Sequence, residues 1–344
     1  MKKLLIVIAF FIAALSNAQD VHFSQPFNAP LLLNPAYTGY TVCKFRIGGN
    51  VRTQWLTIGK PYMTENLYVD RKINIKVPRR MWIGVGGTVF NDRAGNGFLN
   101  RTAGNLSGSA NIGFLRDNRL FLTVGVALGF GNRSVRTDEL FFADQWNGTS
   151  FDGIASSAEP ITNQSKFFYN IDGGAMLSYE LPMDIRANIG ASVYHINKPN
   201  ESFSDYLKLQ RRYNFHGSIM KSLTYNLNLF GGAVFSMQNG ARETNLGFTL
   251  SYTNYDLRLF FGAWHRLLED IIPTAGFEYR KLRVIFSYDL NISELKAASS
   301  MHGGPEIAIV KTFNCGDRIP PGRAGRLLIK PRKKYKPMPC PAYK

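Results

Sequence analysis

The sequence predicts an all-β protein, a closed antiparallel transmembrane β-barrel of about fourteen strands. Three observations carry this. Long segments alternate apolar and polar residues with a period of two, their number is even, and the connections between them alternate between short and long. The composition fits: of 344 residues 45% are hydrophobic, 13% aromatic and only 19% charged, with 32 glycines. So apolar a chain is no disordered polymer. Beyond its first residues it also lacks the roughly eighteen-residue uncharged apolar run that a membrane-spanning helix needs.

The N-terminus reads as a cleavable export signal. Lys2 and Lys3 precede an apolar run from Leu4 to Leu15, and Ser16, Asn17 and Ala18 supply small residues at a cleavage site. Residues 1–18 are therefore expected to be removed, and no Cys follows to carry a lipid anchor. Residues 19–40 come next, neither alternating nor helical in pattern. Pro26, Pro30 and Pro35 are interleaved there with Phe23, Phe27, Leu31, Leu32 and Leu33. Apolar side chains outside any strand need cover, so these five are candidates for a plug in the barrel lumen or against its periplasmic rim.

Residues 41–313 carry the barrel pattern. Candidate strands fall at about 44–55, 61–72, 80–92, 99–114, 119–132, 165–179, 184–196, 209–222, 224–238, 242–254, 257–266, 271–280, 282–291 and 305–313. In 120–130, for example, Leu122, Val124, Val126, Leu128 and Phe130 alternate with Phe121, Thr123, Gly125, Ala127 and Gly129. One face is continuously apolar and the other small or polar, as lipid outside and a polar lumen inside require. A tilted strand crosses a membrane in ~9–11 residues, and nearly all of these reach that length. Of the alternate connections, five of six are tight turns, such as Leu181-Pro182-Met183 or Tyr255-Asp256. The sixth, Ile73 to Arg79, is somewhat longer, whereas the other set contains the long 133–164, 197–208 and 292–304. Short periplasmic turns and longer external loops follow from the barrel rule, with both termini expected in the periplasm.

Trp55, Trp82, Tyr179 and Tyr279 fall near strand ends, where girdle aromatics sit at the headgroup level. The loop 133–164 combines Phe141, Phe142, Trp146 and Phe151 with acidic residues, a composition suited to contact with a partner.

The formal charge is +17 and it is uneven. The signal-like stretch contributes two positive charges and the tail 314–344 a net eight, which leaves seven for the rest. That tail is rich in proline and includes the Arg332-Lys333-Lys334 run, so it is expected to be extended, periplasmic and a candidate contact for an acidic partner. No nucleic-acid motif accompanies the basic residues. Three cysteines, Cys43, Cys315 and Cys340, lie in an exported and hence oxidising setting. Cys315 and Cys340 bracket the tail and are the expected pair.

The sequence carries few signatures of chemistry. There is no G-x-S-x-G, H-E-x-x-H or Walker pattern. Gly84-Val85-Gly86-Gly87 lacks a third dinucleotide-binding glycine and reads as lumen-facing strand glycine. The five histidines have no metal-site spacing. His265 with Glu269 and Asp270 forms at most a conceivable rim dyad, and His195 lies near another strand end. No enzymatic activity, cofactor or metal is expected.

Certain residues also resemble a known family. His22-Phe23-Ser24-Gln25, Leu33-Asn34-Pro35-Ala36-Tyr37-Thr38-Gly39 and Asn50-Val51-Arg52-Thr53-Gln54-Trp55 are similar to the opening of PorP/SprF proteins, as are Asn91-Asp92-Arg93-Ala94-Gly95 and His302-Gly303-Gly304-Pro305 further on. The resemblance implies an outer-membrane barrel of the type IX secretion and gliding machinery of Bacteroidota. It implies partners on both sides: an exported adhesin with a C-terminal sorting domain outside, and a secretion-system or peptidoglycan-binding protein in the periplasm. A diffusion porin or solute transporter is the alternative.

Overall fold

A computed structural model describes residues 20–55, 61–75, 81–95, 99–114, 119–136, 143–150, 164–181, 185–203, 208–294 and 299–315. Fourteen antiparallel strands follow one another around the barrel: β1 (Phe45–Gln54), β2 (Tyr62–Ile75), β3 (Met81–Ala94), β4 (Leu99–Phe114), β5 (Leu120–Val135), β6 (Gln164–Leu181) and β7 (Ile185–Tyr194). The second half continues with β8 (Arg212–Ser222), β9 (Leu227–Gln238), β10 (Ala241–Asn254), β11 (Leu257–Arg266), β12 (Asp270–Tyr279), β13 (Leu282–Asn291) and β14 (His302–Phe313). Each strand pairs with its sequence neighbours, and β1 pairs with β14 to close the ring. Closure leaves no strand edge unpaired, which a bilayer demands because lipid cannot hydrogen-bond a free backbone group.

Alternation decides which side chains meet lipid. Along β5, Val124, Val126, Leu128 and Phe130 are exposed on the outer face, while Phe121, Thr123 and Ala127 are buried inside. Along β1, Ile47 and Val51 point out and Asn50 and Arg52 are buried. All fourteen strands match segments read from the alternation. Their ends shift by up to three residues in either direction: β5 runs on to Val135 and β14 starts at His302, whereas β8 starts only at Arg212 and β9 at Leu227, and the longest connection is 136–163.

One end of the barrel, the turn end, carries the β2–β3, β4–β5, β6–β7, β8–β9, β10–β11 and β12–β13 connections, with the start of β1 and the finish of β14. The opposite, loop end carries the remaining seven connections, including 136–163 and 195–211.

Inside, residues 20–44 run the length of the lumen. Their only regular structure is a helical turn at Pro30–Leu33 flanked by tighter turns at Pro26–Asn28 and Pro35–Tyr37. Proline opens each of the three, and its preset backbone angle suits a first helical position where no N–H bond is lost. Asp20 hydrogen-bonds Gln238 at the loop end, and Cys43 is disulfide-bonded to Cys315 at the turn end. The segment is not parked at a rim but threads the barrel, so its described start and Cys315 sit at opposite mouths.

The expected Cys315–Cys340 pairing is also corrected. Cys315 bonds Cys43, with Cα atoms 4.1 Å apart. The cause is the seam: Phe45 and Phe313 are register partners, so the residues two before the one and two after the other continue the antiparallel ladder. Cys340, Arg332, Lys333 and Lys334 lie outside the described residues.

Candidate functional site: a lumen filled by the N-terminal segment

The inner wall grips the segment at three levels. At the loop end the Asp20 carboxylate meets Arg101, Arg212 at 3.1 Å and His195 Nε2 at 2.9 Å. Burial alone would push that carboxyl up, but Arg101, Arg212 and His195 outweigh it and hold it well below the usual carboxylate range. Arg101 is itself fixed by Glu201, 2.8 Å away, and by the faces of Phe90 and Phe168.

Beside this lies a second cluster. Arg52 donates to the His22 carbonyl at 2.9 Å and to Asp289 at 2.6 Å. The Ser24 hydroxyl donates to the same Asp289 carboxylate at 2.8 Å, and the Ser24 N–H to Glu306 at 2.6 Å. Arg266 joins Asp270 to Glu243. The His22 ring stands 3.7 Å from Glu243, yet burial, aided by Arg52 and Arg266 and opposed by Glu243, pushes the imidazole down to about 4. At neutral pH it is uncharged, so this contact is not an ion pair.

At mid-lumen Asn34 is fully buried. Its amide nitrogen donates to the carbonyls of Ala175 and Ala191, both at 3.1 Å, and lies 2.9 Å from His216 Nε2, while its oxygen accepts from the Ala36 N–H at 2.8 Å. The wall is cut away to admit the chain here. A Cβ on Gly125 would lie 2.4 Å from the Ala36 nitrogen, and one on Gly84 2.0 Å from the Thr38 carbonyl oxygen. The strand glycines of the Gly84–Gly87 stretch thus include one that a passing backbone requires.

Of the predicted lumen residues, Phe23, Leu31 and Leu33 are buried. Leu32 packs against Phe90, Ala103 and Phe168, and Phe27 meets Phe230 and Trp264 at ring distances of 5.3 and 5.8 Å. Three cavities of only about 20–40 Å³ flank the segment here. Nearer the turn end the lumen widens into a vestibule of about 270 Å³.

Other expectations divide. Tyr179 and Tyr279 face outward, but Trp82 is no girdle residue. It points into the vestibule, 3% exposed, with the Lys72 ammonium 3.8 Å above its ring. The strand parity places it inside, which position near a strand end did not reveal. His265 binds the backbone carbonyl of Asp270 rather than its carboxylate, which Arg266 takes, so the two form no dyad. His195 is buried between Asp20 and Asn170. Trp146 is exposed on the long loop, whereas Phe141, Phe142 and Phe151 lie outside the described residues.

The polar residues that fasten the segment to the wall, Asp20, Ser24 and Asn34, are not among the expected site residues. Their signal was present: small polar groups set among apolar ones in a stretch too short to bury them alone.

Residues 15–303 match the family described as type IX secretion system membrane protein PorP/SprF. No curated protein matches the sequence. Among solved structures, the toluene transporter TbuX of Ralstonia pickettii aligns over 83% of this chain and 94% of its own, with 13% identity and a TM-score of 0.47. A FadL homologue of Pseudomonas aeruginosa aligns over 82% and 93%, with 10% identity and a TM-score of 0.43. The β-domain of the Bordetella autotransporter BrkA aligns over 79% and 100%, with 10% identity and a TM-score of 0.40.

Proposed function

Because this chain belongs to the PorP/SprF family of type IX secretion system membrane proteins, we propose that it is a plugged outer-membrane barrel without enzymatic activity. In this reading it helps secrete or anchor an exported surface protein rather than passing solutes. The supporting observation is the lumen itself, occupied from Asp20 to Cys43 by the protein's own chain and tied at both mouths. A diffusion porin gains nothing from such a segment, which tells against the alternative of an open channel.

The short-turn end then faces the periplasm and the loop end the exterior. The loop face, with exposed Trp146 on the 136–163 connection, would meet the exported partner's C-terminal sorting domain. The turn face would meet a secretion-system or peptidoglycan-binding protein. Replacing 136–163 by a short Gly-Ser linker should leave a heat-modifiable, folded barrel and abolish display of its cargo at the cell surface. Unchanged display of every exported protein would defeat the reading.

A further inference from the structure

The vestibule at the turn end is built differently from the rest of the lumen. Among the described residues, six of the seven charged ones lining it are cations: Arg46, Lys72, Arg186, Arg258, Lys281 and Arg283, with Glu278 the one acid. Two more carboxylates stand behind the lining, Asp70 on Arg46 and Glu180 on Arg186, both within 3.0 Å. Glu278 is taken by Arg283 at 2.9 Å. Among the described residues six cations thus stand against three carboxylates. Arg258 turns its Nε–H to the Thr253 hydroxyl at 2.9 Å rather than to a carboxylate.

Their placement argues for an extended ligand. The cations come from β1, β2, β7, β11, the β12–β13 turn and β13, so they ring the mouth instead of converging on one point. Between them lie Tyr40, Trp82 and Val310, and Phe27 closes the floor. A compact anion would use one or two of these groups. A chain carrying acids and apolar side chains by turns would use the ring and the floor together.

We propose that this vestibule binds an acidic, apolar-punctuated polypeptide segment of a partner entering from the turn end. The proposal deepens the function proposed above by naming the chemistry of the partner on that face, and rests on it only for the partner's compartment. Binding to purified protein is measured without any cell-surface readout, so the two can fail separately.

The test uses the full-length protein in a non-ionic detergent and a fluorescein-labelled peptide of alternating Glu and Phe. Anisotropy should report binding at about 50 mM salt that is largely lost at about 500 mM, since partly exposed charge contacts are screened. The double variant Arg258→Gln, Lys281→Gln spares the three ion pairs and keeps the basic tail. It should bind about tenfold more weakly. Equal binding by this variant, or equal displacement by inorganic phosphate at matched charge, would overturn the proposal. Should the variant not fold, wild-type protein and a benzophenone-bearing peptide decide it by mass spectrometry. Adducts at Tyr40–Cys43, Trp82 or 310–312 support the vestibule, and adducts confined to 316–344 overturn it.

Discussion

Cys43 and Cys315 are bonded across the seam at which the barrel closes, two residues beyond the Phe45–Phe313 pair that ends the β1–β14 ladder. The bond joins the lumen segment to the strand that completes the ring. It also gives the segment a direction. Its turn end is covalent, whereas its loop end is held by noncovalent contacts, so any withdrawal begins at Asp20.

Non-reducing peptide mapping of protein from oxidising conditions should recover a Cys43–Cys315 cross-link and none between Cys315 and Cys340. A loop this long gives an entropic contribution of roughly 6 kcal/mol in the chain-entropy treatment. Cys43→Ser should therefore lower the denaturation temperature of the folded barrel while leaving its strand content unchanged by circular dichroism.

Gly125→Leu should displace the segment. The side chain would have to occupy the space of the Pro35–Ala36 peptide, which lies within 2.5 Å of the new Cβ. Glycine on the outer face is the control, because Gly108 has nothing nearer than 3.9 Å. Limited proteolysis should cut within 20–38 in Gly125→Leu and not in Gly108→Ala.

Asn34→Ala removes the bonds to two strand carbonyls and to the Ala36 N–H. Leaving buried partners unmet costs about 1–3 kcal/mol each, so a loss of several kcal/mol in segment docking is expected. Amide hydrogen exchange at 33–38 should accelerate by at least about tenfold, with strand amides unaffected.

Docking at the loop end should weaken on acidification. His22 faces Glu243, Arg52 and Arg266, and burial holds its docked pKa at about 4, below the ordinary 6.5. Above 6.5 docked and released forms are both neutral and docking is at full strength. As the pH falls from 6.5 to 4 the released form takes up a proton that the docked form refuses, so docking is progressively lost. Asp20, held well below its ordinary value, stays ionised throughout that window and does not compensate. Exchange at 21–25, corrected for intrinsic rate, should rise between pH 7 and 5 in wild type and stay flat in His22→Gln.

Much of the fold was legible because strand alternation in a membrane barrel is set by two solvents, lipid and lumen, acting on each residue separately. Val124 and Thr123 declare their faces without knowledge of any partner. The apolar residues of 20–44 likewise declared that they needed cover. What could not be read was where a strandless segment runs. That depends on which wall glycines, such as Gly84 and Gly125, coincide across forty residues of intervening barrel. Trp82 and the Cys43–Cys315 bond depend in the same way on strand parity and on the closing seam, which are properties of the assembled ring. The motifs His22–Gln25 and Leu33–Gly39 acquire their meaning only there, as the residues that fasten the chain to the wall.

The central claim, that the lumen is closed by its own N-terminal segment, is tested most directly by single-channel conductance in planar bilayers. Wild-type protein is compared with a variant lacking residues 20–38 that retains Cys43 and shows the heat-modifiability of a folded barrel. The wild type should show no large steady conductance and the deletion large, stable openings. Steady openings of equal size from both would contradict it.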